Sequence, residues 1–136
     1  MDPVKYTSKG NVDITPHFSL MELISPDGEI FIDDLFWHHM EKLENLRFSI
    51  GEPLIVTSGH RSKAHNEKVG GAAKSMHLRF ASDLQIGGRS PTLGLDELYE
   101  FARAEGFSGI GRYNNFLHVD CRTFIGRAPA EWDNRT

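Results

Sequence analysis

A single cysteine, Cys121, among 136 residues excludes an internal disulfide and any cysteine-rich zinc module. Long apolar runs are missing as well. The best is Pro53-Leu54-Ile55-Val56, far short of a membrane-spanning helix. Basic charge is not in excess: 15 Lys and Arg against 19 Asp and Glu give a net charge of −4 and a sequence pI of about 5.9. That balance argues against a protein that binds nucleic acid by neutralising phosphates, and against a basic membrane-surface protein. No internal repeat and no low-complexity segment is visible, and Met1 to Tyr6 lacks the apolar stretch of a signal peptide. What is present is ordinary for a globular chain. With 39% hydrophobic and 25% charged residues, wholesale disorder is excluded, and the length suits one core in one domain over residues 1–136. Seven histidines are the oddity: His17, His38, His39, His60, His65, His77 and His118.

Residues 1–17 are polar and read as an extended arm ahead of a core over 18–132. Ser19, with Glu22 three residues on, reads as the cap of a short helix. Ile32, Leu35, Phe36, Met40, Leu43, Leu46 and Ile50 step by three and four, which predicts a helix from about Asp33 to Ile50, ended by Gly51 and Pro53. Leu54 to Ser58 reads as a buried strand and Lys63 to Val69 as a short helix stopped by Gly70-Gly71. A second strand follows over Phe80 to Ile86, with Ala81, Asp83 and Gln85 on one face. Leu95 to Glu105 is amphipathic and stops at Gly106. Gly109 to Tyr113 and Phe116 to Arg122 read as a hairpin around Asn114-Asn115, using the tolerance of asparagine for positive φ. Phe116, His118, Asp120 and Arg122 then share one face of the last strand; Leu117, Val119 and Cys121 share the other. Helices early and strands late predict an α+β fold, a small antiparallel sheet flanked by helices.

Asp83, His118 and Asp120 are ionisable residues inside strands, and a buried unpaired carboxylate is costly. A bound cation removes that cost. Two histidines and one carboxylate with an open fourth position form a common catalytic zinc shell, and His77, Asp83 and His118 supply such a set. Hydrogen-bonded structural residues on a solvated face account for the same pattern. Spacing alone does not bring His77 to His118. The adjacent pair His38-His39 points about 100° apart on a helix and cannot chelate on one face, so both read as surface or groove residues. Cys121 faces the core and lacks a partner for nucleophilic work. Tyr113 and Trp132 read as core packing, with cleft lining as the alternative.

The motifs Val56-Thr57-Ser58-Gly59-His60-Arg61-Ser62, His65-Asn66, Val69-Gly70-Gly71-Ala72, Ser75-Met76-His77, Ala81-Ser82-Asp83 and His118-Val119-Asp120, in that order, resemble the zinc D-alanyl-D-alanine carboxypeptidase family. Its wider group includes L-alanyl-D-glutamate endopeptidases of phages, and its fold is hedgehog-like. The similarity runs from about Phe18 to Trp132. The resemblance implies one zinc ion bound by His77, Asp83 and His118. It implies that Arg61 polarises the scissile carbonyl or holds a substrate carboxylate, and that Ser75 hydrogen-bonds the substrate or the ligand loop.

Two departures from the family stand out. Five residues, Leu78 to Ser82, separate His77 from Asp83 where six including a glycine are usual; Phe80 stands near the missing glycine. Asn115 and Phe116 occupy the positions where many relatives carry the general base. Asp120, on the His118 face, is left as the candidate base or as the carboxylate that orients a ligand. His60, where a tyrosine is more usual, is a second and weaker candidate for the base.

The expectation is therefore a zinc metallopeptidase, carboxypeptidase or endopeptidase, acting on peptidoglycan peptides. The bond is D-Ala-D-Ala or L-Ala-D-amino-acid. The expected chain is a monomer that neither binds nucleic acid nor inserts in a membrane. Without a visible signal peptide, it accumulates in the cytoplasm with phage-type release, or rides in a virion, and acts on the cell wall. The alternatives are a non-catalytic relative serving as a binding or virion module, and a hedgehog-like fold used for protein contacts alone.

Overall fold

The computed structural model describes the backbone of Val4–Lys5 and residues 10–88 and 93–136. Its architecture is α+β, built on a five-stranded sheet. The sheet strands are β5 (Leu54–Ser58), β6 (Ser82–Ile86), β7 (Gly109–Arg112), β8 (Leu117–Asp120) and β9 (Ala130–Asp133), in the spatial order β5-β6-β8-β7-β9. The first four pair antiparallel, whereas β9 runs parallel to β7, so the sheet is mixed at that edge. The sequence expectation assigned no strand beyond the hairpin. Trp132 in β9 had one signal, a lone aromatic among polar residues.

Part of the expected arm over 1–17 lies outside the described residues. The rest is not free: β1 (Val4–Lys5) pairs with β4 (Glu29–Ile30), and β2 (Asp13–Thr15) pairs with β3 (Phe18–Ser19). A four-residue helix, α1 (Leu20–Leu23), follows, with the Glu22 carboxylate accepting from Ser19 N at 2.7 Å.

The main helix, α2 (Asp34–Ile50), starts where Asp33 accepts from Phe36 N and stops at Gly51 in the left-handed region. α3 (Lys63–Lys68) is capped by the Ser62 hydroxyl, and α4 (Leu95–Glu105) ends at Gly106. Phe36, Met40, Leu43 and Leu46 of α2 and Leu98 and Ala102 of α4 are fully buried with Leu84, Ile110 and Val119 of the sheet. Burying a Leu, Phe or Met side chain contributes about 1.5–3 kcal/mol each, so this one face holds the helices to the sheet. The opposite face carries Asp83 and His118.

The hairpin between β7 and β8 turns at Asn114-Asn115, with Tyr113 N donating to Phe116 O at 3.1 Å. No non-glycine residue among those described has a positive φ, so the turn does not use the left-handed asparagine conformation that the sequence suggested. The last strand also ends sooner than expected. Arg122–Ile125 forms a 3-10 turn closed by Gly126 at φ +83°.

Candidate metal centre and its cleft

Strand register builds the centre. Asp83 of β6 lies directly opposite His118 of β8, His118 opposite Gly111 of β7, and Gly111 opposite Trp132 of β9. One cross-strand row thus carries carboxylate, imidazole, a gap and indole. The gap is required: a Cβ on Gly111 would sit 2.6 Å from Trp132 Cζ2. Without it, Trp132 leans over β7 until its ring centroid is 5.1 Å from that of His118.

The third member arrives from outside the sheet. Met76–Leu78 forms a 3-10 turn capped by Ser75, whose hydroxyl accepts from His77 N at 3.2 Å. This turn delivers His77 Nε2 to 3.1 Å from Asp83 Oδ1, and His118 Nδ1 lies 3.0 Å from the same oxygen. All three side chains are buried. In the link between His77 and Asp83, Phe80 turns inward, fully buried against Phe36 and His39.

The outer ring nitrogens decide what the inner ones can do. His77 Nδ1 meets the Gly59 carbonyl at 2.6 Å, which can only accept, so Nδ1 carries the hydrogen. His118 Nε2 meets Asp120 Oδ2 at 2.6 Å and donates to it in the same way. In neutral rings, His77 Nε2 and His118 Nδ1 therefore turn lone pairs toward Asp83 Oδ1, itself an acceptor. Three acceptors converging at 3.0–3.1 Å require either extra protons on the rings or a cation among them. Tetrahedral zinc with bonds of about 2.0–2.1 Å separates its ligand atoms by about 3.3 Å, close to these distances. Histidines whose second nitrogen is fixed by a carbonyl or carboxylate are the usual zinc arrangement. The donor set fits zinc.

The electrostatics point the same way. Burial pushes the Asp83 carboxyl up, but hydrogen bonds and charge from His118 and His77 outweigh it and hold the group well below the usual carboxylate range. Burial likewise disfavours a charged His118, yet its bonds to Asp120 and Asp83 raise its pKa above the ordinary value. The centre thus selects positive charge in the company of a buried anion, whether proton or metal supplies it.

Asp120 is fully buried, and every acceptor position it uses is taken. Oδ2 receives His118 Nε2 and Arg122 Nη2 at 2.7 Å; Oδ1 receives Arg122 N and Nε, both at 3.0 Å. It stands behind His118 and does not line the cleft. Of the two roles open to it, this geometry suits orienting a ligand and not taking a proton from water. Gly109, opposite Asp120 in the β7–β8 register, makes room for that carboxylate.

The cleft over the triad has a volume of about 450 Å³ and includes Arg61, Ser75, Tyr113 and Trp132 in its wall. Arg61 Nη2 lies 3.8 Å from Asp83 Oδ2, and Arg61 Nη1 lies 3.4 Å from Asn66 Oδ1. Tyr113 and Trp132 follow the cleft-lining alternative and not core packing. The indole donates to the Tyr113 hydroxyl at 2.9 Å, and the pair forms a half-buried aromatic wall. Lys74 and Arg127 also reach the cleft, which sequence reasoning missed, as does Arg122, which alternation had placed on the His118 face without a role. A larger hollow of about 660 Å³ lies beside β5 and contains none of the triad.

Other histidines fall away from the centre. His39, expected at the surface or in a groove, is fully buried, because α2 turns it onto the sheet, where Nε2 meets Ser82 Oγ at 2.8 Å. His38 stacks on Phe124. His60 is buried, with Nδ1 at 3.1 Å from the Arg79 carbonyl. Cys121 is buried with its thiol pushed up to about 12 by desolvation, which leaves no thiolate for nucleophilic attack.

Comparison with known proteins agrees with the geometry. No curated protein matches the chain at a significant level. Residues 16–120, well over half of the chain and the whole of the span that holds His77, Asp83 and His118, match the profile of the family described as Peptidase M15. The chain belongs to the Peptidase M15 family, the zinc peptidases that include the D-alanyl-D-alanine carboxypeptidases.

Proposed function

We propose that this chain is a zinc-dependent peptidase that hydrolyses the peptide stems of bacterial peptidoglycan. One observation carries the reading. His77, Asp83 and His118 present three lone-pair donors to one point on the floor of a cleft, with the outer nitrogens of both rings already committed. Zinc held there supplies Lewis acidity to an amide carbonyl and acidity to a water.

The chain's own residues do the rest. Asp120, clamped by Arg122, holds the His118 ring so that Nδ1 faces the cleft. The Gly59 carbonyl does the same for His77 Nε2. Arg61, always charged and forked, offers donors to the carbonyl oxygen as negative charge develops there, or to a substrate carboxylate. Trp132 and Tyr113 wall off water on one side of the cleft. The bond cleaved is D-Ala-D-Ala or L-Ala-D-amino-acid, and the protein acts as a monomeric lysis enzyme of phage type on the cell wall.

A second reading has one observation in its favour. Among the described residues, Asp83 is the only acidic side chain lining the cleft, so a separate carboxylate base is not at hand. A non-catalytic relative that binds wall peptide and keeps the metal would look the same. The two separate on purified wall fragments. The peptidase reading expects new amino termini with zinc-loaded protein and none with His77→Ala, which also loses about one zinc per chain by plasma mass spectrometry. Intact fragments with a full complement of zinc would leave the binding reading.

A further inference from the structure

Four cations line the cleft, Arg61, Lys74, Arg122 and Arg127, in a chain whose net charge is −4. Two of them are answered from within. Arg61 faces Asp83, and Arg122 forks onto Asp120. Lys74 and Arg127 have no acidic partner among the described residues.

These two are also held beside each other. Arg127 N donates to the Arg122 carbonyl at 3.1 Å in the turn that Gly126 closes. Arg127 Nη1 then donates to the Lys74 carbonyl at 3.0 Å, tying the end of the 3-10 turn to the loop that leads into His77. Lys74 itself stands in a turn closed by Ser75 N on the Ala72 carbonyl at 3.1 Å. A guanidinium has five N–H donors, and one is spent here. Both residues line a cleft whose one acidic side chain among the described residues, Asp83, is already engaged by His77, His118 and Arg61.

We infer that Lys74 and Arg127 form a second carboxylate-binding site in this cleft, separate from Arg61, and that the preferred ligand is a peptide carrying an acidic group in addition to the carboxylate or carbonyl at Arg61. The inference rests on the peptide-cleft reading above and names the substrate class within it. A fork of charged donors meeting a carboxylate is a strong pairing, but both cations are exposed, so the contact weakens as salt rises.

The test uses two synthetic stem pentapeptides that differ at one group: the glutamyl α-carboxyl is free in one and a carboxamide in the other. Each is titrated calorimetrically into the zinc-loaded wild type and into Lys74→Met/Arg127→Gln, which keeps a donor for the Lys74 carbonyl. Unchanged zinc content and melting temperature establish that the variant is folded. The wild type should bind the acid about tenfold more tightly than the amide, less so at high salt, and the variant should bind both like the amide. Equal affinities in the wild type, binding of neither peptide, or a preference that survives in the variant would overturn the inference. Hydrolysis is read in parallel. A tenfold preference in binding with neither peptide cleaved would sink the peptidase reading and leave this site standing; cleavage of both with equal affinity would do the reverse.

Discussion

Replacing Gly109 by alanine should loosen the metal centre without touching a ligand. A Cβ at this position falls inside the van der Waals envelope of both Asp120 carboxylate oxygens and of Arg122 Nε. The carboxylate is fully buried and takes four hydrogen bonds, one of them from His118, so it has no easy direction in which to yield. Overpacking of this kind costs about 1–3 kcal/mol of stability. The displaced carboxylate no longer fixes the His118 ring, and loss of such a partner weakens metal binding by about 10–100-fold.

The assay is a double-mutant cycle with Asp120→Ala, read twice: by denaturant unfolding of the metal-free protein, and by zinc competition against a chromogenic chelator. Asp120→Ala alone leaves Arg122 and His118 without their anion, at a cost of about 3–5 kcal/mol. With the carboxylate gone, Arg122 loses the anchor that holds Nε against position 109 and can swing aside, so Gly109→Ala should add under about 0.5 kcal/mol. Additive costs in the cycle, or wild-type zinc affinity in Gly109→Ala, would refute the claim that this glycine exists to seat Asp120.

Two further predictions concern groups outside the triad. Burial holds His39 down to about 3; attraction by Asp120 opposes it, and repulsion from His118, His77 and His38 adds to it. The unfolded chain takes up this proton near pH 6.5, so below that pH the unfolded state binds more protons and stability falls as pH falls, by about 1.4 kcal/mol per unit from this residue. His39→Gln should flatten the stability–pH slope between pH 6 and 4.5 by that amount in denaturant melts, and an unaltered slope would count against it. Asn66 is buried, accepts from Arg61 and donates to the Ala72 carbonyl at 2.9 Å. Asn66→Ala should cut cleavage of wall fragments about tenfold through misplacement of Arg61 while zinc stoichiometry stays the same; an equal loss of zinc would show a merely structural effect.

The long elements were legible because their signals are local. The three-and-four spacing from Ile32 to Ile50 produces α2, and the run Leu54 to Ser58 produces β5. Alternation also sorted the two faces of β8, with His118 and Asp120 on the side opposite Leu117 and Val119. What failed was non-local. β9 pairs with β7 across a long separation in sequence, and nothing in Ala130-Glu131-Trp132-Asp133 announces a parallel partner. The burial of His39 depends on which side of α2 meets the sheet, a fact about rotation of the helix that a His-His pair does not encode. Lys74 and Arg127 meet only because a backbone carbonyl joins two loops.

The shortened link between His77 and Asp83 shows why sequence spacing is a poor guide to the integrity of such a centre. A ligand set defined by one loop would be broken by the loss of a residue. Here each donor is placed by a separate device. Asp83 and His118 are opposed by the β6–β8 register, which the turn before β6 does not set. His77 is fixed by the Gly59 carbonyl on its ring and by Arg61 N donating to its own carbonyl at 2.7 Å. The segment between them must span a distance and bury something, and Phe80 does both, filling the core against Phe36 and His39. It follows that Phe80→Ala, which hollows the core beneath the centre, endangers the ligand geometry.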